Sequence, residues 1–132
     1  MVLLYRLQTH ELSGSEAMTI ERKHVGARLS QVVVHGDTVY LSGIVADHPI
    51  SDVGAQTGQI LDRIDQYLRD AGTDKRGLLS VIIWLADMRG YDEMNALWDK
   101  WLAAGQTPAR ACLEAKLAQP ELLVEMRVVA AR

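Results

Sequence analysis

The side chains best suited to chemistry in this sequence stand near its C-terminal end, in TPARACLEAKLAQPELLVEMRVVA from Thr107 to Ala130. Two apolar runs of period two flank a break at Pro120, the pattern of two neighbouring strands. Arg110, Cys112, Glu114 and Lys116 share one face of the first run, while Leu123, Glu125, Arg127 and Val129 share one face of the second. If the runs pair antiparallel about the break, a register placing Arg110 opposite Glu125 puts both on one face, and the sequence alone does not fix that register. A guanidinium and a carboxylate so placed are either a binding site or an ordinary cross-strand ion pair. Glu125 needs a partner, because an acid in an apolar strand is poorly accommodated alone.

Other chemistries find less support. Arg110 is two residues from Cys112, and a nearby cation lowers a thiol pKa. No histidine accompanies that cysteine as a dyad partner, so an inert thiol lining a pocket fits better than a covalent catalyst. His10, His24, His35 and His48 lie on separate segments, with neither an HxxxH nor an HxH pair, which reads as structural or surface histidine rather than a metal site. Gly54, Gly58 and Gly72 make no phosphate-binding loop. Asp92 and Glu93 suit the first turn of a helix.

Several elements must position these groups. Thr19–His24 reads as a strand. SQVVVH (Ser30–His35) and TVYLSGI (Thr38–Ile44) flank Gly36-Asp37, a hairpin turn. At the end of that hairpin, Ser42-Gly43 permits close backbone approach by a ligand or another chain. Ser51 or Asp52 caps a helix running to about Ala71, with Val53, Thr57, Ile60, Leu61, Ile64 and Leu68 as its apolar stripe and Gly72 as its stop. LLSVIIWLA (Leu78–Ala86) is nearly continuous in apolar residues and reads as a strand buried on both faces. Tyr91–Ala104 is a second helix whose Trp98 and Trp101 belong to the core.

The order β-β-β-α-β-α-β-β gives an α+β fold, a mixed sheet with both helices on one face. Val32/Val34 and Val33, Val81/Ile83 and Ile82, and Leu123/Val129 and Val124/Val128 then supply apolar residues to both sides, so the side without helices is also apolar. A large bare face of that kind is rare in soluble monomers, and self-association is the simplest remedy.

At 132 residues the chain is one domain, with residues 1–17 as an N-terminal extension (Val2–Leu7 alternatively forming an edge strand) and residues 18–132 as the folded unit. Hydrophobic residues at 48% and charged ones at 23% are ordinary for a globular protein. The net charge of -3, without a basic stripe, argues against a nucleic-acid partner. One cysteine fits a reducing compartment. No apolar run spans a bilayer, and MVLLYRLQ is a poor leader, so a cytoplasmic location is expected.

TPARACLEAKL, SGIVAD after the hairpin, LADMRGYDEMNALW and the terminal VEMRVVA together resemble the RidA family, also called YjgF and historically L-PSP endoribonuclease. The resemblance covers Thr19–Arg132, and WDKWLAAG with VVAAR points to a short bacterial branch. It implies a chorismate-mutase-like fold and a homotrimer with sheets packed inside, helices outside and ligand clefts between subunits. It further implies an enamine/imine deaminase that hydrolyses 2-iminopropanoate and related imino acids to 2-keto acids and ammonia, without metal or organic cofactor. Under it, Arg110 grips the substrate carboxylate and Glu125 positions water, while Asn95, Ser42, Gly43 and Cys112 line the cleft. A planar guanidinium suits a carboxylate through two parallel hydrogen bonds, and a carboxylate can move the protons of hydrolysis.

This sequence departs from that pattern at two places. Ala27-Arg28-Leu29 stands where a Gly-Pro-Tyr stretch delivers a tyrosine to the cleft, and Ile44 stands where glutamine is typical. Both changes are expected to make the pocket more apolar. The alternatives are a non-catalytic trimeric binder of small carboxylic or 2-keto acids, and the ribonuclease or translation inhibitor of the historical label.

Overall fold

The computed structural model describes residues 19–132, so the extension expected over residues 1–17 and the strand considered for Val2–Leu7 lie outside the described residues. In chain order come β1 (Ile20–Val25), β2 (Ser30–His35), β3 (Thr38–Leu41), β4 (Ile44–Val45), α1 (Val53–Asp70), β5 (Leu78–Leu85), α2 (Tyr91–Trp101), β6 (Ala109–Glu114) and β7 (Val124–Ala131). The strands form one mixed sheet ordered β1-β2-β3-β7-β5-β6, with β4 also paired to β7. The helices pack over one face, as the apolar pattern requires.

The two-residue turn joins His35 to Thr38, with Gly36 in the left-handed region at φ 60°. Asp52 caps α1 by accepting from the Ala55 amide at 3.2 Å. The stripe of α1 meets the sheet through Ile60, Leu61, Ile64 and Leu68, all buried. Gln56 is also fully buried. Its Nε2 donates to the carbonyls of Ile50 and Glu121, and its Oε1 accepts from the Leu123 amide. One side chain thus ties the loop before α1 to the connection before β7. Helix α2 ends at Trp101, earlier than the expected Ala104, because Leu102 turns extended at ψ 145°.

Three expectations need correction. The expected strand Thr38–Ile44 is two strands, β3 and β4. Between the pairs Tyr40↔Val129 and Ile44↔Met126 the chain advances four residues against three on β7, so Ser42-Gly43 is a bulge. The extra residue reverses facing, and Ile44 enters the core at 4% exposure rather than lining a pocket mouth.

The last two strands are not neighbours. β6 runs parallel to β5, and β7 runs antiparallel to the other edge of β5, which separates them. The crossover through α2 returns β6 parallel at the sheet edge, and the strongly apolar β5 lies between β7 and β6 with a partner on each side. The connection 115–123 passes around the end of β5, bonding Ala115 N to Leu85 O and Ala86 N to Leu123 O, each at 3.0 Å.

Finally, β5 is buried on one face only in a single copy. Val81, Ile83 and Leu85 are buried, whereas Ile82 and Trp84 are half-buried and Leu79 is 50% exposed. The helix layer covers the first set, and among the described residues no second layer covers the other. Leu113 (43%) and Tyr40 (39%) extend that bare surface.

Candidate active site

Strand β6 holds Arg110 opposite Val81 and Cys112 opposite Ile83, so both side chains face the helix layer. There α2 presents Tyr91, Asn95 and Trp98, one stripe at helical spacing. Arg110 Nη1 donates to Asn95 Oδ1 at 2.7 Å, and Nη2 donates to the Tyr91 hydroxyl at 3.1 Å. Its Cζ lies 5.3 Å from the Trp98 ring centroid and 5.8 Å from that of Tyr91. The ring faces favour the cation without neutralising it. Among the described residues no carboxylate pairs with Arg110. Among the described residues, bonds engage two of the roughly five N–H donors of this guanidinium. The guanidinium opens on a groove of about 310 Å³ lined by Asn95, Trp98, Asp99, Leu102 and Pro108.

Burial raises the Cys112 thiol pKa above its ordinary value, and Arg110 opposes this with a smaller effect. The expected cationic influence is therefore present but outweighed. Burial thus works against the thiolate form that a cysteine nucleophile needs.

Glu125 occupies the opposite face of the sheet. It pairs with Trp84 on β5 and with Val45 on β4, on the side without helices. Arg110 and Glu125 therefore do not meet within one chain, contrary to the expected cross-strand register. Glu125 is half-buried with no hydrogen bond among the described residues, and burial raises its pKa. The Ser42-Gly43 bulge lies beside it. A Cβ added at Gly43 would run into the Glu125 carboxylate, with Cδ at 3.1 Å. Ser42 donates its hydroxyl to Gln31 Oε1 and its amide to Gln31 O.

The expected residues thus gather in two groups: Arg110, Asn95 and Cys112 under α2, and Ser42, Gly43 and Glu125 on the bare face. Leu29 is 52% exposed on the turn where the Gly26 amide donates to its carbonyl. A larger concavity of about 720 Å³, lined by Glu114, Lys116, Leu117, Pro120 and Leu122, contains none of these groups. Sequence reasoning missed Tyr91 and assigned Trp98 to the core alone. Their positions four before and three after Asn95 were the available signal.

A family model described as Endoribonuclease L-PSP matches residues 19–132. The chain belongs to the RidA/YjgF family. The RutC family protein YoaB of Escherichia coli (strain K12) is 40% identical over 114 residues, 86% of this chain and 99% of that protein. The crystal structure of a YjgF family member from Neisseria meningitidis superposes with a TM-score of 0.86 at 41% identity, covering 88% of this chain and 97% of that one. An uncharacterized protein from Pseudomonas aeruginosa gives a TM-score of 0.84 at 46% identity, covering 86% and 99%. The mixed sheet with two helices on one face is thus the RidA/YjgF architecture, and the bulge, the edge arginine and the α2 stripe are placed within it. Among the described residues no helix is long and apolar enough to cross a membrane.

Proposed function

We propose that this protein is a hydrolytic deaminase of small 2-imino acids, working as a homotrimer whose clefts lie between subunits. The observation that carries this reading is Arg110. Its guanidinium is half-buried, held by the neutral Asn95 and Tyr91, flanked by aromatic rings, and left without an acidic partner among the described residues. Such a group is prepared for a ligand carboxylate, which it binds through parallel charge-assisted hydrogen bonds that also fix orientation.

The reaction consumes one water. Its oxygen adds to the imine carbon, and the nitrogen takes up protons. The C–N bond then breaks, releasing ammonia and leaving the carbonyl of a 2-keto acid. Glu125 is suited to accept and return the proton, since its raised pKa brings it closer to neutrality. Backbone amides near Gly43 and Cys112 are available to steady the developing charge.

Arg110 and Glu125 face opposite sides of one sheet, so a ligand touching both must sit between two copies. The bare apolar face supports the same assembly. Ile82, Trp84, Leu113 and Val129 lie where a second sheet would cover them.

The test is ammonia release from enzymatically generated 2-aminoacrylate. Wild type should exceed the uncatalysed rate, and both Arg110→Ala and Arg110→Lys should lose most of the acceleration, because a point charge cannot copy the planar fork. One specific observation favours a non-catalytic carboxylate binder as the second reading: Leu29 puts an exposed apolar side chain where the family pattern has a tyrosine hydroxyl. Wild type no faster than Arg110→Ala, with 2-keto acid binding retained, would select that reading.

A further inference from the structure

We infer that Asp99 makes the Arg110 groove selective for 2-imino acids whose side chain ends in a cation, an ammonium or a guanidinium. This rests on the reading of Arg110 as the carboxylate grip.

Asp99 follows Asn95 by one turn of α2, so the two side chains leave the helix on one face with Cβ atoms about 5–6 Å apart. Asn95 holds Arg110 Nη1 at 2.7 Å, and Asp99 lines the same groove of about 310 Å³. The two charges nonetheless form no ion pair with each other. Among the described residues no cation pairs with Asp99 at all. Within α2 its neighbours at helical spacing are Asn95 and Ala96, neither of them basic. Stability does not account for the residue either. It stands in the last turn of α2, where the negative end of the helix dipole disfavours an acid.

The groove therefore offers one unpaired charge of each sign, the Arg110 guanidinium held at Asn95 and the Asp99 carboxylate one helical turn further along α2, with Trp98, Leu102 and Pro108 supplying apolar wall. An imino acid with a neutral side chain satisfies Arg110 alone. One with a cation roughly three to four carbons from the imine, close to the 5.4 Å of one helical turn, satisfies both charges and lays its methylenes on the apolar wall.

The experiment compares kcat/KM for imines generated in place by an amino-acid oxidase, from arginine against leucine and alanine. Wild type should favour the basic side chain by about three- to five-fold, the scale of an exposed ion pair, and added salt should shrink the margin. Asp99→Asn should bring the basic imine down to the level of the neutral ones, and Asp99→Lys should place it below them. Equal kcat/KM in wild type, or a preference that survives Asp99→Asn, overturns the inference. Binding of the corresponding 2-keto acids to the intact assembly reads the same preference without turnover. Absent ammonia release from every imine thus counts against the deaminase reading, and the binding ratio still decides the role of Asp99.

Discussion

Arg110 and Glu125 were legible as the residues of interest because charge in an apolar strand needs an explanation. Their relation was not legible. Which strand lies beside which depends on the crossover through α2, and that is a property of the whole sheet. Tyr91 was passed over because an aromatic at the start of a helix reads as packing until the position of its hydroxyl is known. Tyr91→Phe keeps the ring and removes the bond to Arg110 Nη2. It should raise KM roughly tenfold with a smaller change in kcat, about the effect of one hydrogen bond to a charged group, as steady-state kinetics would read. A fall in kcat alone would place Tyr91 elsewhere in the mechanism. Glu125 makes a prediction with opposite signs for stability and activity. Burial raises its pKa, so the folded chain binds more protons than the unfolded one, and stability declines as pH rises through the carboxylate range. Glu125→Gln should therefore raise the thermal midpoint at neutral pH. Below the ordinary pKa of 4.5, where both side chains are uncharged, it should leave the midpoint nearly unchanged. The same variant should lose about 10²–10⁴ in rate if the carboxylate moves a proton. Wild-type activity should fall as acid protonates Glu125.

Among the elements, period and capping gave the helix starts, and the hairpin turn gave β2 and β3. The Ser42-Gly43 bulge was hidden because Thr38–Ile44 alternates as one strand would. Only the pairing of β3 and β4 with β7 reveals the added residue, and with it the reason that Ile44 is core. The bulge also brings Gly43 against Glu125. Gly43→Ala should displace the carboxylate, a flexible side-chain end, so kcat should fall at least tenfold while the melting temperature shifts little. Paired kinetics and thermal melts separate this from simple misfolding, which would lower both. Strand β5 misled in a different way. Its apolar run anticipates burial on two faces, and the described residues of one chain supply one covering layer.

The remaining face concerns the whole molecule. An apolar sheet surface carrying Trp84, Leu113 and Val129, with Glu125 at its side, is coherent if copies pack sheet to sheet. The net charge of -3 without a basic stripe predicts undetectable, salt-independent RNA binding, which a direct binding titration would check. Shared clefts make a quantitative prediction about mixtures. Arg110→Ala and Glu125→Gln chains, each inactive alone, should recover activity when refolded together at equal amounts, reaching about a quarter of wild type for random assembly. No recovery would assign both groups to the same subunit. The central claim, a carboxylate gripped by Arg110 within a two-subunit cleft, is tested most directly by a crystal structure with pyruvate or 2-oxobutanoate. The account predicts the ligand carboxylate on the Arg110 guanidinium, with its keto carbon facing Glu125 of the partner subunit. A monomer in solution, or a ligand bound elsewhere while Arg110 points into solvent, would contradict it.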